Sequence, residues 1–174
     1  MPKTSATNLQ PKIDERPILV LEKQLLDTLE LQWCVQRARI RLNGASTTKA
    51  LILFNGIAGE LEVFADMIRK RLEYWTPLEP TGFTRRSNSN WRLFPVGAVN
   101  AREQIEALSC DYTRYLRRTL EAMTSLRLAG DLQSYELLNV IFRTAERSLS
   151  FLEMYAEALA MNIDDSRLPE WSPE

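Results

Sequence analysis

The sequence predicts an all-α protein, built as a four-helix bundle with a long crossover between its second and third helices. Four stretches of roughly 26 to 31 residues each repeat apolar side chains at helical spacing. The links inside the first and second halves of the chain are a few residues long, whereas about 24 residues separate the second stretch from the third. The 45% apolar and 26% charged residues suit one globular domain with a sizeable core.

The first helix, α1, is predicted from about Pro17 to Leu42 and ends at the stop signal Asn43-Gly44. Its apolar residues recur every seven positions, and we call this set the α1 stripe: Leu19, Leu26, Trp33 and Ile40. We expect the α1 stripe to face the core, because a continuous apolar face on a helix is normally buried.

The second helix, α2, is predicted from a Ser46 cap to about Trp75. Its apolar positions alternate three and four residues apart without a break, so we expect its inward face to be apolar throughout. Gly56 and Gly59 lie inside this helix, where each costs about 1 kcal/mol relative to Ala. That cost predicts a close approach of another backbone.

The third helix, α3, is predicted to start after a capping box at Asn100 and to end at Gly130. Asp131 is placed to cap the fourth helix, α4, which runs to about Leu159 and whose inward face we also expect to be apolar. The whole bundle is thus predicted over residues 17–161. A flexible arm, residues 1–16, precedes it, and an acidic tail, residues 162–174, follows it.

The connection from Thr76 to Val99 can reach roughly 80 Å, enough to cross the whole bundle. Trp91 marks a short amphipathic turn that predicts a small helix within it. Two hairpins joined by a long crossover form the ferritin arrangement. The alternative is a simple up-down-up-down bundle in which the long loop does not cross from one end to the other.

Composition excludes several kinds of chemistry. The chain has no histidine, which removes catalytic triads with imidazole, His-ligated zinc and ordinary di-iron sites. Cys34 and Cys110 are expected to be two buried, reduced thiols. The first twenty residues lack a signal-peptide core, and no apolar run suits a membrane span, so we expect a soluble, cytoplasmic protein.

Three segments resemble the Dps family, the small ferritin-like cages of bacteria that bind iron and often DNA. The main one is RARIRLNGASTTKALILFNGIAGELEVFADMIRKR, from Arg37 to Arg71. AGDLQSYELL and RSLSFLE, beginning at Ala129 and Arg147, support it. The resemblance covers about residues 17–160 and implies a shell of about twelve subunits.

The resemblance also implies a ferroxidase centre at the interface of two subunits, built from two histidines, two aspartates and a glutamate. Carried over in that family's order, the positions fall on Arg39, Leu51, Asn55, Asp66 and Lys70. Only Asp66 keeps a metal-binding side chain, so we expect no working centre and no enzyme activity. An Arg39–Asp66 bridge between subunits could replace the metal; the alternative is that these charges are simply solvated.

Two further sets of residues are implied by the resemblance. Asp131 and Glu136 are candidates for acidic pores that admit iron; the alternative is a helix cap and a surface residue. Glu60 and Glu62 are candidates for facing the shell interior.

The arm residues Lys3, Lys12 and Arg16 are candidates for DNA contact, multiplied around a shell. Asp14, Glu15 and the acidic tail oppose DNA binding, and the alternative is an arm whose charges only solubilise it.

We therefore expect a Dps-like cage without ferroxidase activity, acting as a structural, storage or interaction shell in iron homeostasis or stress protection. One alternative is an iron store fed by an active paralogue in mixed shells. Another is a nucleoid-associated DNA-binding protein without iron chemistry. We assign no cofactor or metal ligand, although stored iron is compatible with the resemblance.

Overall fold

A computed structural model describes residues 15–42, 48–75 and 101–161. These residues form four helices, which confirms the predicted four-helix bundle, and the described ranges contain no strand. The helices are α1 (Glu15–Leu42), α2 (Thr48–Trp75), α3 (Ala101–Leu128) and α4 (Leu132–Ala160). α1 begins two residues before the predicted start. The predicted stop at Asn43-Gly44, the Ser46 cap, the Asn100 cap, the crossover helix at Trp91 and the acidic tail lie outside the described residues.

The turn between α3 and α4 follows its local sequence signals closely. Gly130 adopts a φ of +76°, a left-handed conformation that favours glycine. Asp131 then caps α4, because its carboxylate accepts a hydrogen bond from the Ser134 backbone N–H at 3.1 Å. The predicted helix cap is therefore confirmed.

Hydrogen bonds between helices define their directions. Gln24 Nε2 donates to Thr119 Oγ1 at 2.8 Å, and Thr28 Oγ1 lies 3.0 Å from the Tyr115 hydroxyl, so α1 and α3 are antiparallel. α1 packs against α2 and α3, while α4 packs against α3 and α2. The short link after α1 makes α2 antiparallel to α1 as well, since a few residues cannot span the bundle.

Both α2 and α3 therefore run opposite to α1 and parallel to each other. This places Trp75, at the end of α2, and Ala101, at the start of α3, at opposite ends of the bundle. In an up-down-up-down bundle the second and third helices would be antiparallel. The directions are instead those of two hairpins whose connection begins at one end and finishes at the other.

The predicted orientation of α1 is wrong. Leu19, Trp33 and Ile40 are 60%, 54% and 69% exposed, and only Leu26 is half-buried, so the α1 stripe faces away from the core. The residues that α1 buries include these: Leu21, Gln24, Leu25, Asp27, Thr28, Leu31, Val35 and Ala38. Gln24, Asp27 and Thr28 are polar, and their hydrogen bonds to α3 offset the free-energy cost of burying them.

We call the buried contacts of Gln24 and Thr28 with Tyr115 and Thr119 the α1–α3 seam. Beside the seam, Arg118 donates to the Asp27 carboxylate at 2.6 Å. Burial nevertheless raises the pKa of Asp27, because desolvation outweighs the attraction of the Arg118 guanidinium. The Asp27–Arg118 pair thus adds little net stability, although removal of Arg118 would leave a buried charge without its partner.

The remaining core follows the predicted apolar pattern more closely. On α3 the apolar residues that repeat at helical spacing are buried: Ile105, Leu108, Tyr112, Tyr115, Leu116, Met123 and Leu126. Cys34 is buried as expected, and burial raises the pKa of its thiol to about 12. Cys110, in contrast, is exposed, so the expectation of two buried thiols holds only for Cys34.

The predicted close approach at Gly59 is also wrong for the described chain. A Cβ atom at Gly59 would have no neighbour within 4 Å, because this position faces open space on α2. The glycine therefore weakens the helix without serving internal packing.

Replacing Gly59 by Ala is expected to raise the free energy of unfolding by about 0.5–1 kcal/mol, since alanine is the better helix former. Urea unfolding followed by circular dichroism measures the change. Gly130→Ala is the matched control and should lower stability, because its φ of +76° strains any side chain. A destabilised Gly59→Ala would contradict the open surface.

Candidate functional site

The five positions implied by the family resemblance lie on α1 and α2 and form no metal-binding set. Arg39 Nη1 donates to Asn55 Oδ1 at 3.1 Å, which joins two of them across the hairpin. Asp66, two-thirds exposed, pairs instead with Arg69 on its own helix at 2.6 Å. Leu51 is half-buried and Lys70 is exposed.

Within one chain, the contact between Arg39 and Asn55 therefore lies apart from Asp66. Asp66 follows Asn55 by three helical turns, about 16 Å along α2. In the described ranges no three His, Cys, Asp or Glu side chains come together in a way that could hold a metal ion. A guanidinium, an ammonium, an amide, a leucine side chain and one exposed carboxylate offer a cation no ligand set.

A second polar cluster lies where the end of α2 meets the start of α4, and sequence reasoning missed it. The Arg71 guanidinium donates from Nε to Ser134 Oγ, from Nη1 to Gln133 Oε1 and from Nη2 to Asp131 Oδ1, at 2.8, 2.8 and 2.9 Å. We call this group the Arg71 junction. Arg71 and Asp131 are both about nine-tenths buried, so the pair is largely screened from water.

Aromatic rings complete the Arg71 junction. The guanidinium carbon lies 5.2 Å from the ring centroids of both Tyr74 and Trp75, within the range of cation–π attraction. The same residues line an open pocket of about 370 Å³ that also includes Pro17 at the start of α1. The junction thus joins the end of α2 to the start of α4, beside the start of α1.

The two predicted pore residues differ in their surroundings. Burial tends to raise the pKa of Asp131, but hydrogen bonds from Ser134 and the charge of Arg71 outweigh it, so the pKa lies below its usual value. Asp131 is thus an ionised, buried helix cap bonded to Arg71. Glu136 is exposed on the first turns of α4.

Glu60 corrects the expectation that the inward faces of α2 and α4 are apolar throughout. Its carboxylate accepts a hydrogen bond from the buried Ser148 hydroxyl on α4. Burial raises the pKa of Glu60, opposed by the Ser148 hydrogen bond and by Arg147. Glu62 is exposed, so the two glutamates do not share one environment.

Of the predicted arm residues, Lys3 and Lys12 lie outside the described residues. Arg16 is exposed in the first turn of α1.

No protein-family model matches the chain, and a search of curated proteins finds no relative. None of the four described helices is long and apolar enough to cross a membrane. Fold and site together define an all-helical four-helix bundle whose polar clusters join its helices.

Replacing Arg71 by Met should lower the free energy of unfolding by about 3 kcal/mol, because the Asp131 charge would stay buried without its partner. Arg69→Met is the matched control: its ion pair with Asp66 is exposed, and its loss should cost less than about 1 kcal/mol. Chemical denaturation of both variants measures the difference. Equal losses would contradict a special role of the junction.

The Arg71 junction should also make stability depend on acid pH. Because the folded pKa of Asp131 lies below its usual value of 3.8, its contribution to stability is present above that pH and is lost as the pH falls through the folded pKa. The stability gap between wild type and Arg71→Met should therefore narrow below about pH 4. A gap that stays constant down to pH 2 would contradict this coupling.

Glu60→Gln should stabilise the protein at pH 7, because the neutral amide avoids burying a charge and can still accept from Ser148. Since the folded pKa of Glu60 is raised, wild type recovers this penalty as the pH falls, and the gain should disappear below about pH 4. Denaturation at pH 7 and pH 3.5 provides the test, with exposed Glu62→Gln as control. A loss of stability at pH 7 would show that the charged form is favoured.

Proposed function

We propose that this chain is the subunit of a ferritin-like, Dps-like shell without a ferroxidase centre, serving as a structural or storage cage in iron homeostasis or stress protection. The observation that carries the proposal is the contact between Arg39 and Asn55. Two positions that would supply metal ligands in the family pattern bond to each other instead.

The helix directions support the ferritin-like part of the proposal. Two antiparallel hairpins with α2 parallel to α3 match the ferritin arrangement, in which one long connection crosses the bundle. A described bundle of four helices, each 28 or 29 residues long, also has the length expected of such subunits.

The side-chain charges at the five positions support the proposed absence of iron oxidation. Arg39 and Lys70 place positive charges at two of the five positions, and these repel ferrous iron. Asp66 alone remains, and the neighbouring Arg69 already neutralises it. Iron would then enter the shell only as cargo, oxidised elsewhere.

The first test measures assembly and iron chemistry on the full chain. Light scattering after size exclusion should give a mass near twelve protomers, and ferrous iron with peroxide should oxidise no faster than in buffer. A stable monomer would overturn the shell, and a saturable oxidation rate would overturn the loss of the centre.

The second test restores the missing ligands. A chain with Arg39→His, Leu51→His, Asn55→Asp and Lys70→Glu, and with Asp66 retained, should gain peroxide-driven iron oxidation above the wild-type rate. The matched control adds Asp66→Asn to the same four changes and should lose much of that gain. A restored particle of wild-type mass without any gain would contradict the assignment of these five positions.

A further inference from the structure

The pocket beside the Arg71 junction lies apart from the five positions on which the proposed function rests. Its volume of about 370 Å³ is near the lower end of the range of about 300–1,000 Å³ that is typical of ligand pockets. Tyr74 on its wall is 73% exposed, so the ring is open to contact with a ligand. The pocket therefore suits a small molecule that carries both apolar surface and polar groups.

The side chains of the Arg71 junction retain hydrogen-bonding capacity beside this pocket. A guanidinium has five N–H donors, and Arg71 uses three of them within the junction. The other two, one on each Nη atom, have no bond to the described residues and are left for a ligand. Gln133 accepts from Arg71 through Oε1, which leaves its amide Nε2 as a further donor at the pocket.

Two buried polar atoms of pocket-lining residues have no hydrogen-bond partner within the described chain. They are the indole Nε1 of Trp75, a donor, and Oδ2 of Asp131, an acceptor. Such atoms are uncommon in folded proteins, and a bound molecule can satisfy them. Exposed side chains change rotamer within nanoseconds, so rotation of the Tyr74 ring can admit a ligand group to these atoms. Because the two atoms have opposite roles, the missing partner must both donate and accept.

The charge of the pocket favours a neutral ligand. The Arg71 and Asp131 side chains are 12% and 7% exposed and lie 2.9 Å apart, so each already neutralises the other. A carboxylate ligand would be repelled by Asp131, and an ammonium ligand would be repelled by Arg71. Hydroxyl groups avoid both penalties, because each can donate one hydrogen bond and accept others.

We infer that this pocket binds a neutral sugar, either a single pyranose ring or a disaccharide. The C–H groups on one face of a pyranose ring would pack on the Tyr74 ring, which offers apolar area beside a polar rim. Hydroxyls at the edge of the sugar would accept from Arg71 and Trp75 Nε1 and donate to Asp131 Oδ2. The inference does not depend on the proposed shell, because it uses none of the five positions.

Saturation-transfer difference NMR on the full chain tests the inference, with glucose, galactose, mannose, maltose and trehalose as probes. For a ligand of about twelve heavy atoms we expect a dissociation constant on the order of a millimolar for at least one of them. L-Phenylalanine is the zwitterionic comparison and should not bind. The inference is overturned if no sugar gives a signal at tens of millimolar, or if L-phenylalanine binds in place of the sugars.

A pair of ring deletions locates the binding. Tyr74→Ala removes the exposed ring from the pocket and should weaken sugar binding about fivefold or more. Trp33→Ala removes an exposed ring outside the pocket and should bind as the wild type does. Helical circular dichroism checks that both chains fold. Equal affinity of the Tyr74→Ala chain and the wild type would overturn the site.

A third variant separates a binding role of Trp75 from a structural one. Trp75→Phe keeps an aromatic ring but removes the indole N–H, so sugar affinity should fall about fivefold. Because Nε1 has no partner in the described chain, losing this N–H breaks no bond that supports the fold. A purely structural role predicts the opposite, a loss of stability with unchanged affinity, and that result would overturn the contact between the indole and the sugar.

Discussion

The rotation of α1 about its own axis is the constraint on which the surface of this protein depends, and the α1–α3 seam sets it. Gln24 and Thr28 can be buried only where Thr119 and Tyr115 satisfy their hydrogen bonds. Turning α1 by about half a turn to bury the α1 stripe would take Gln24 and Thr28 to the surface and leave Tyr115 and Thr119 inside the core without these partners. That cost is about 1–3 kcal/mol for each unsatisfied group, so the polar face stays inward.

A second constraint acts at the end of the bundle, where the Arg71 junction holds α2 against the start of α4. α2 packs less extensively against α4 than the other neighbouring helices pack against each other. The directional bonds of Arg71 near one end and of Glu60 near the middle therefore fix the relative position of these helices. Acid pH acts on the two contacts in opposite directions, because it removes the Asp131 charge that Arg71 stabilises and relieves the cost of the buried Glu60 charge.

Sequence reasoning succeeded where structure is decided locally. The stop at Gly130 and the cap at Asp131 depend on a left-handed backbone position and one short hydrogen bond, both visible in neighbouring residues. The spacing on α3 predicted its buried residues because that helix carries few competing apolar positions. In these cases the local pattern and the tertiary packing agree.

Sequence reasoning failed where hydrogen-bond partners are distant in sequence. Gln24 and Thr119 are 95 residues apart, and Arg71 and Ser134 are 63 apart, so no local pattern links them. α1 also carries two faces that could be buried, one apolar and one of mixed polarity. The general preference for burying apolar side chains predicted the apolar face, but the mixed face is the buried one. The cost of a glycine inside α2 led to the prediction of a close backbone approach at Gly59. The folded structure shows instead that Gly59 faces open space.

The charges on α1 and α2 bear on how the proposed shell would hold together. A ferroxidase centre between subunits needs carboxylates and imidazoles at an interface, and each buried charge there costs desolvation unless a metal compensates it. In the proposed shell, Arg39 and Lys70 would occupy such positions, so its subunit interfaces would have to gain stability from contacts other than metal ligation. Burial of apolar side chains could provide that stability without any ion, because burying hydrocarbon requires no counter-charge. Assembly of the proposed shell would then not depend on a bound metal.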